Sequence, residues 1–142
     1  AEVARVKRSG APLSFVTIDL DHFKQINDRH GHKAGDEVLR AFAELVKRTL
    51  RPSDVVGRIG GEEFALILPD ATLKGAAIAA ERLRQLAAKE VLSLADTRLQ
   101  FTVSLGVAQY GADGETYESI IEVADRRMYR AKQLGRNRVV AE

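Results

Sequence analysis

The stretch Arg58 to Pro69, R-I-G-G-E-E-F-A-L-I-L-P, constrains this chain most, because it sets two adjacent carboxylates after a diglycine between two apolar segments. Asp54 to Ile59 and Glu63 to Leu68 read as strands, and Gly60-Gly61 between them reads as the turn of a tight hairpin. Glycines there admit positive φ and present no side chain, so a phosphate or nucleotide could approach the backbone. Glu62 and Glu63 then lie at the tip and the start of the return strand, where neighbouring side chains point to opposite faces. One of the two can face a cleft. Taken alone, the same pattern also fits a surface hairpin with solvated acids.

A second acidic strand end gives the hairpin company. Leu13 to Leu20, L-S-F-V-T-I-D-L, is a strongly apolar strand, and Asp19 and Asp21 fall two apart on one face near its end. Like charges so close repel unless a cation or solvent screens them. If this strand neighbours the hairpin, Asp19, Asp21 and Glu62 converge on one patch of carboxylate oxygens. Such a patch suits Mg²⁺, which takes few carboxylates together with water and phosphate oxygens. A pair of such ions can stabilise the attacking and leaving oxygens of phosphoryl chemistry. The competing reading is strand-end acids that face solvent.

The rest of the chain alternates helical and extended patterns. Ala1 to Gly10 reads as the end of a helix with Gly10 as its cap, and His22 to Gly31 as a short helix or turn. Gly35 to Leu50 is a helix whose stripe runs through Val38, Phe42, Leu45 and Thr49, widened by Leu39, Val46 and Leu50, with Pro52 ending it. Thr72 to Ala88 is an alanine-rich helix facing inward through Ala76, Ala79, Ala80, Leu83 and Leu86. Leu99 to Tyr110 reads as one long strand. Thr116 to Leu134 is the last helix, with Ile120, Ile121, Ala124, Met128 and Ala131 apolar and Gly135 as its cap, before a short strand through Val139 and Val140. The expected order is βααββαβαβ in one domain spanning 1–142. A hairpin within that order argues for a mixed α/β sheet with helices packed on it.

Composition removes several function classes. Of 142 residues, 22 are Lys or Arg and 20 Asp or Glu, a net charge of +2 that gives no support for binding a nucleic acid polymer by charge alone. With no cysteine there is no disulfide framework, thiolate metal site or cysteine nucleophile. No apolar run approaches the roughly 18 residues of a membrane span, so direct membrane contact is not expected.

The chain carries, in order, Asp19-Leu20-Asp21-His22-Phe23-Lys24-Gln25-Ile26-Asn27-Asp28, Gly31-His32, Gly35-Asp36 and Gly60-Gly61-Glu62-Glu63-Phe64. Val103-Ser104-Leu105-Gly106-Val107-Ala108, Ala124-Asp125, Tyr129, Ala131-Lys132 and Gly135-Arg136-Asn137 follow. Together these motifs resemble the GGDEF family of bacterial diguanylate cyclases. The likeness covers nearly the whole chain. The resemblance implies a palm-like nucleotidyl cyclase fold of the α+β kind, with a mixed, mainly antiparallel central sheet flanked by helices. It implies a nucleotidyltransferase that condenses two GTP into cyclic di-GMP and two pyrophosphates, one GTP per subunit, across a homodimer.

Matched residue by residue, Asp19, Glu62 and the Leu20 carbonyl take the family's metal-binding positions, for Mg²⁺ with Mn²⁺ as a substitute. Glu62 is also a candidate to deprotonate the attacking hydroxyl, and Asp19 and Glu63 complete the catalytic set. Asn27 and Asp36 match the guanine readers, with His32, Gly60 and Gly61 near the nucleotide, although Asn and Asp also favour helix caps. Lys132 and Arg136 match residues that hold the triphosphate; a lysine near a helix C-terminus also simply complements the dipole. Arg51 and Asp54 form the R-x-x-D of an allosteric product site, completed by Arg82, where cyclic di-GMP would bind and restrain turnover. Their plainer reading is a surface ion pair.

Family members usually carry an Asp-x-Leu-Thr-Gly-Leu-x-Asn-Arg segment before the first strand, and the present sequence starts downstream of it. A longer chain with an N-terminal sensor or receiver region is therefore expected, in the bacterial cytoplasm and in some members tethered to a membrane sensor. Two other readings compete: a non-catalytic receptor for GTP or cyclic di-GMP, and another nucleotidyltransferase on a palm-like fold.

Overall fold

The computed structural model describes residues 9–94 and 97–142. Its central strands are β1 (Leu13–Leu20), β2 (Val55–Arg58), β3 (Glu63–Pro69), β6 (Val103–Gln109) and β7 (Arg138–Val140). They form one five-stranded sheet in the order β2-β3-β1-β6-β7. All neighbours run antiparallel except β6 and β7, which are parallel. The helices are α1 (Phe23–His30), α2 (His32–Thr49), α3 (Leu73–Lys89) and α4 (Tyr117–Gln133).

Strand β1 sits in the middle and is apolar on both faces because both faces are covered. Val16, Ile18 and Leu20 share one core with Val38, Phe42 and Val46 of α2 and Ala76, Ala80 and Leu83 of α3. Leu13 and Phe15, on the opposite face, pack with Ile120 and Ala124 of α4. Burying a large apolar side chain contributes about 1.5 to 3 kcal/mol, so these two cores hold the sheet between its helices. Helix starts are fixed locally: the Thr72 hydroxyl accepts from the Gly75 N–H at 3.1 Å. Thr116 and Ser119 exchange reciprocal cap bonds at the start of α4. Each such cap contributes about 1 kcal/mol.

Two glycines mark close approaches. A Cβ on Gly106 of β6 would collide with the Ala124 carbonyl and the Met128 N–H, so glycine is what lets β6 lie against the backbone of α4. On Gly35 it would collide with the Asn27 side chain, so α2 meets α1 through that pair.

The fold class agrees with the expectation, and the element order gains one hairpin. β4 (Leu92–Leu94) and β5 (Thr97–Leu99) pair as a separate two-stranded sheet. The long strand expected from Leu99 is accordingly two elements, with Leu99 closing β5 and β6 starting at Val103. Three-residue strands are too short to show a period of two. Helix α2 starts at His32 rather than Gly35. The helix expected over Ala1 to Gly10 lies almost wholly outside the described residues. Among the described residues no helix is long and apolar enough to cross a membrane.

Candidate functional site

The end of β1 and the tip of the β2–β3 hairpin are neighbours. Asp19 stands opposite Glu63 in the β1–β3 ladder, and the Leu20 N–H donates to the Glu62 carbonyl at 3.2 Å. Three carboxylates thereby gather at one corner of the sheet. Their counter-charge is Lys132 of α4, whose Nζ lies 3.4 Å from Asp19 Oδ1. Burial pushes the Asp19 carboxyl up to about 6; Lys132 pulls it down, and Glu62 and Glu63 push it further up. The Glu63 carboxyl is also raised, by burial first and then by Asp125 and Glu62. Asp125, on α4 behind Glu63, is raised by its own burial. One cation amid this many partly buried acids is the electrostatic signature of a site.

The hairpin tip differs from a two-residue turn. Residues 59–62 connect the strands, and neither Gly60 nor Gly61 takes a positive φ. Their contribution is open space: a Cβ on Gly61 would meet nothing within 4 Å. The loop is held instead by Arg58, whose Nε donates to the Gly60 and Gly61 carbonyls at 3.2 and 3.1 Å and whose terminal nitrogen donates to Gly61 at 2.6 Å. With the loop clamped from its own strand, it needs no left-handed residue.

Asp21 does not join the acidic patch. Strand β1 ends at Leu20, the alternation of faces ends with it, and the Asp21 side chain is fully buried. One oxygen accepts from Ser104 Oγ at 2.7 Å and Lys132 Nζ at 3.3 Å. The other accepts from Thr102 Oγ1 at 2.7 Å and the Asn137 N–H at 3.0 Å. Asp21 is a fully satisfied internal anchor for Lys132 and for the turn after α4. Its partners lie 81 to 116 residues away, which no local pattern could show.

Asp36 lines a cleft of about 450 Å³ together with Leu39, Val56, Gly57, Arg58 and Phe64, large enough for a purine base. The Asn27 side chain lies against Gly35, the residue before Asp36. His32 opens α2 and is exposed. Arg136 is exposed in the turn that follows α4. Arg51 and Asp54 meet as expected: the guanidinium donates to Asp54 at 3.0 and 3.3 Å and to the Pro69 carbonyl at 2.7 Å. Among the described residues no hydrogen bond or ion pair joins exposed Arg82 to them.

Among the described residues no three His, Cys, Asp or Glu side chains form a metal cage. The donors at the strand end are the Asp19 and Glu62 carboxylates with backbone oxygen nearby, a hard set that leaves positions for water and phosphate, as Mg²⁺ prefers. The Asp19 carboxyl, raised first by burial and further by Glu62 and Glu63, stands in an oxygen-rich corner whose donor set fits a divalent cation.

Comparison with known proteins gives the same direction. The family model "Diguanylate cyclase, GGDEF domain" matches residues 1–138. Diguanylate cyclase A of Treponema denticola is 42% identical over 127 residues, 89% of this chain and 34% of that protein. The response regulator PleD of Caulobacter vibrioides is 42% identical over 142 residues, 99% of this chain and 31% of that protein. The chain thus spans about a third of the length of these relatives. The crystal structure of the GGDEF domain of DgcB from Caulobacter crescentus, in complex with c-di-GMP, superposes with a TM-score of 0.91 at 34% identity, covering 99% of this chain and 83% of that one. With its acidic hairpin, its sheet order and its sequence all in agreement, the chain belongs to the GGDEF-domain family of diguanylate cyclases.

Proposed function

We propose that this domain is a diguanylate cyclase that condenses two GTP into cyclic di-GMP and two pyrophosphates. The observation that carries the reading is the cluster of Asp19, Glu62 and Glu63 around Lys132, beside the cleft that Asp36 lines. One relative, diguanylate cyclase A, carries that activity in its name, and one solved relative is in complex with c-di-GMP.

In the reaction, the 3′-hydroxyl oxygen of one GTP bonds to the α-phosphorus of another, the α–β phosphoanhydride bond breaks, and pyrophosphate leaves with its electron pair. The hydroxyl proton passes to a carboxylate at the hairpin tip. Glu62 is the acceptor we assign, by its place at the hairpin tip, with Glu63, whose carboxyl is raised by burial, beside it. Asn27 and Asp36 read guanine: a carboxylate accepts from N1 and the 2-amino group, donors that adenine lacks. Lys132 and Arg136 hold the triphosphate. Asp19, Glu62 and the Leu20 carbonyl would hold a divalent cation, Mg²⁺ or Mn²⁺, which when bound stabilises charge on the phosphate oxygens. One domain holds one GTP, so ring closure needs two copies facing each other.

Cyclic di-GMP is proposed to bind as an inhibitor at Arg51, Asp54 and Arg82, opening the Arg51–Asp54 pair as it does so. The domain, 1–142, is read as the catalytic unit of a cytoplasmic bacterial protein with an N-terminal sensor or receiver, as the response-regulator name of one relative suggests. The test is chromatography with mass detection after incubation with GTP and Mg²⁺ over a range of protein concentrations. Cyclic di-GMP rising more steeply than protein, and absent with Glu62→Ala, is expected. No product together with Arg51-dependent binding of cyclic di-GMP would replace the reading with a receptor.

A further inference from the structure

We propose that Arg84 of α3 is a positioning residue for the triphosphate, acting through the side chain of Asn137 on the turn that carries Arg136. The proposal rests on the triphosphate role given above to Arg136 and Lys132.

The turn after α4 has an unusual backbone. Gly135, Arg136 and Asn137 take φ of 123°, 65° and 48°, three left-handed residues in succession of which only the first is glycine. Non-glycine residues reach this region at a cost, so a run of them persists only where its surroundings hold it. The supports are visible. The Arg136 N–H donates to the Ala131 carbonyl at 2.9 Å and the Gly135 N–H to the Lys132 carbonyl at 3.3 Å. The Asn137 N–H donates to buried Asp21 at 3.0 Å. These fix the turn from the side of α4 and β1.

The remaining support comes from another helix. Arg84 donates to Asn137 Oδ1 at 2.9 Å, across 53 residues of sequence. Its guanidinium is aimed by Glu81, through Nε to Oε1 at 2.7 Å and a terminal nitrogen to Oε2 at 2.8 Å. Gln85 donates to the same Oε2 at 2.9 Å. A planar guanidinium held by two parallel bonds is a fixed donor, unlike a lysine on a flexible stem. Asn137 is thereby clamped at both ends, by Asp21 at its backbone and by Arg84 at its side chain. Arg136, between Gly135 and Asn137, is exposed and takes its direction from that clamp. Asp21 also holds Lys132, so both cations assigned to the triphosphate are positioned by one polar network that ends on α3.

Arg84 touches neither Asp19 nor Glu62 in this network, so its loss should weaken nucleotide binding and spare turnover of bound nucleotide. The test compares Arg84→Ala, Asn137→Gly and the double variant with the unaltered protein. Asn137→Gly keeps a residue at ease in the left-handed region and removes only the acceptor. Affinity is read by calorimetry with a GTP analogue bearing a methylene between the α- and β-phosphorus, with Mg²⁺, and KM and kcat with GTP. The expected result is about a tenfold rise in Kd and KM for each single variant, the loss of one charge-assisted bond, with kcat within about twofold. The double variant should be no worse than either single one, because both remove the same link. Additive effects, unchanged affinity, or a fall in kcat at constant KM would overturn the proposal. If the unaltered protein neither binds the analogue nor makes product, the assigned function fails and takes this proposal with it. If it binds and the variants match it, the positioning role alone fails.

Discussion

Asp19 and Glu63 face each other directly across β1 and β3, two carboxylates at a cross-strand pair position where opposite charges or apolar groups would be the stabilising choice. The site is therefore built at the expense of the fold. The Asp19 carboxyl titrates at about 6 in the folded chain against an ordinary 3.8. Between those values the folded chain holds a proton that the unfolded chain has released, so stability falls as pH rises through that window, and the full cost stands above it. A shift of this size corresponds to at most about 3 kcal/mol. Asp19→Asn should raise the melting temperature near neutral pH by roughly 3 to 8 °C. The gain should shrink toward about pH 4, and cyclic di-GMP synthesis should be lost. Thermal unfolding across pH checks it, and a lower melting temperature near neutral pH would contradict the argument.

Lys132 is the complementary case. Its Nζ lies 3.3 Å from fully buried Asp21 and 3.4 Å from Asp19. Removing the cation strands one buried charge and loads the neighbouring cluster with uncompensated negative charge. Asp21 keeps three other donors, so Lys132→Met should cost about 2 to 4 kcal/mol rather than more. In combination with Asp19→Asn the loss should be less than the sum, since both changes act on one pair. Denaturant unfolding of the four proteins measures the coupling.

The Arg51–Asp54 pair bears on both binding and stability. The Arg51 side chain is 53% exposed while Asp54 is 5% exposed, so the ion pair is screened on one side only. Arg51→Ala should cost about 1 to 3 kcal/mol, because it leaves the nearly buried Asp54 carboxylate with the Arg51 backbone N–H and takes the donor from the Pro69 carbonyl. If this is the product site, the same change should weaken cyclic di-GMP binding by more than about tenfold, the forked donor being what a phosphate or guanine edge requires. Calorimetry with cyclic di-GMP decides it, and unchanged affinity would remove the R-x-x-D assignment.

What could be read from sequence follows the range of the forces involved. The inward stripes of α2, α3 and α4 and the apolar run of β1 are local periodicities, and each became the element expected. Asp19 opposite the Glu62–Glu63 tip followed once β1 and β3 were neighbours. Asp21 could not be read correctly, because a spacing of two implies a shared face only while the strand lasts, and β1 stops at Leu20. The Gly60-Gly61 pair suggested positive φ, yet the Arg58 clamp makes the loop by another route. Arg84 carried no local signal, since its partner Asn137 lies on the far side of three strands and a helix in sequence.

The two close-approach glycines should respond differently to the same substitution. On Gly106 an added methyl meets the backbone of α4, which cannot step aside without moving the helix. Gly106→Ala should therefore cost about 3 kcal/mol or more in unfolding free energy, at the upper end for overpacking. On Gly35 it meets mainly the amide end of Asn27, with the Phe23 ring edge at 3.1 Å. That side chain can rotate away, so Gly35→Ala should cost only about 1 to 2 kcal/mol. The displaced group is one of the two assigned guanine readers, however, and its rotation should appear in specificity. Gly35→Ala is expected to narrow the preference for GTP over ATP analogues by about tenfold or more, the scale set by hydrogen bonds to a substrate edge. Competition binding measures the ratio. If Gly35→Ala kept the full preference for guanine, Asn27 would be a packing residue between α1 and α2, and Asp36 would carry the recognition alone.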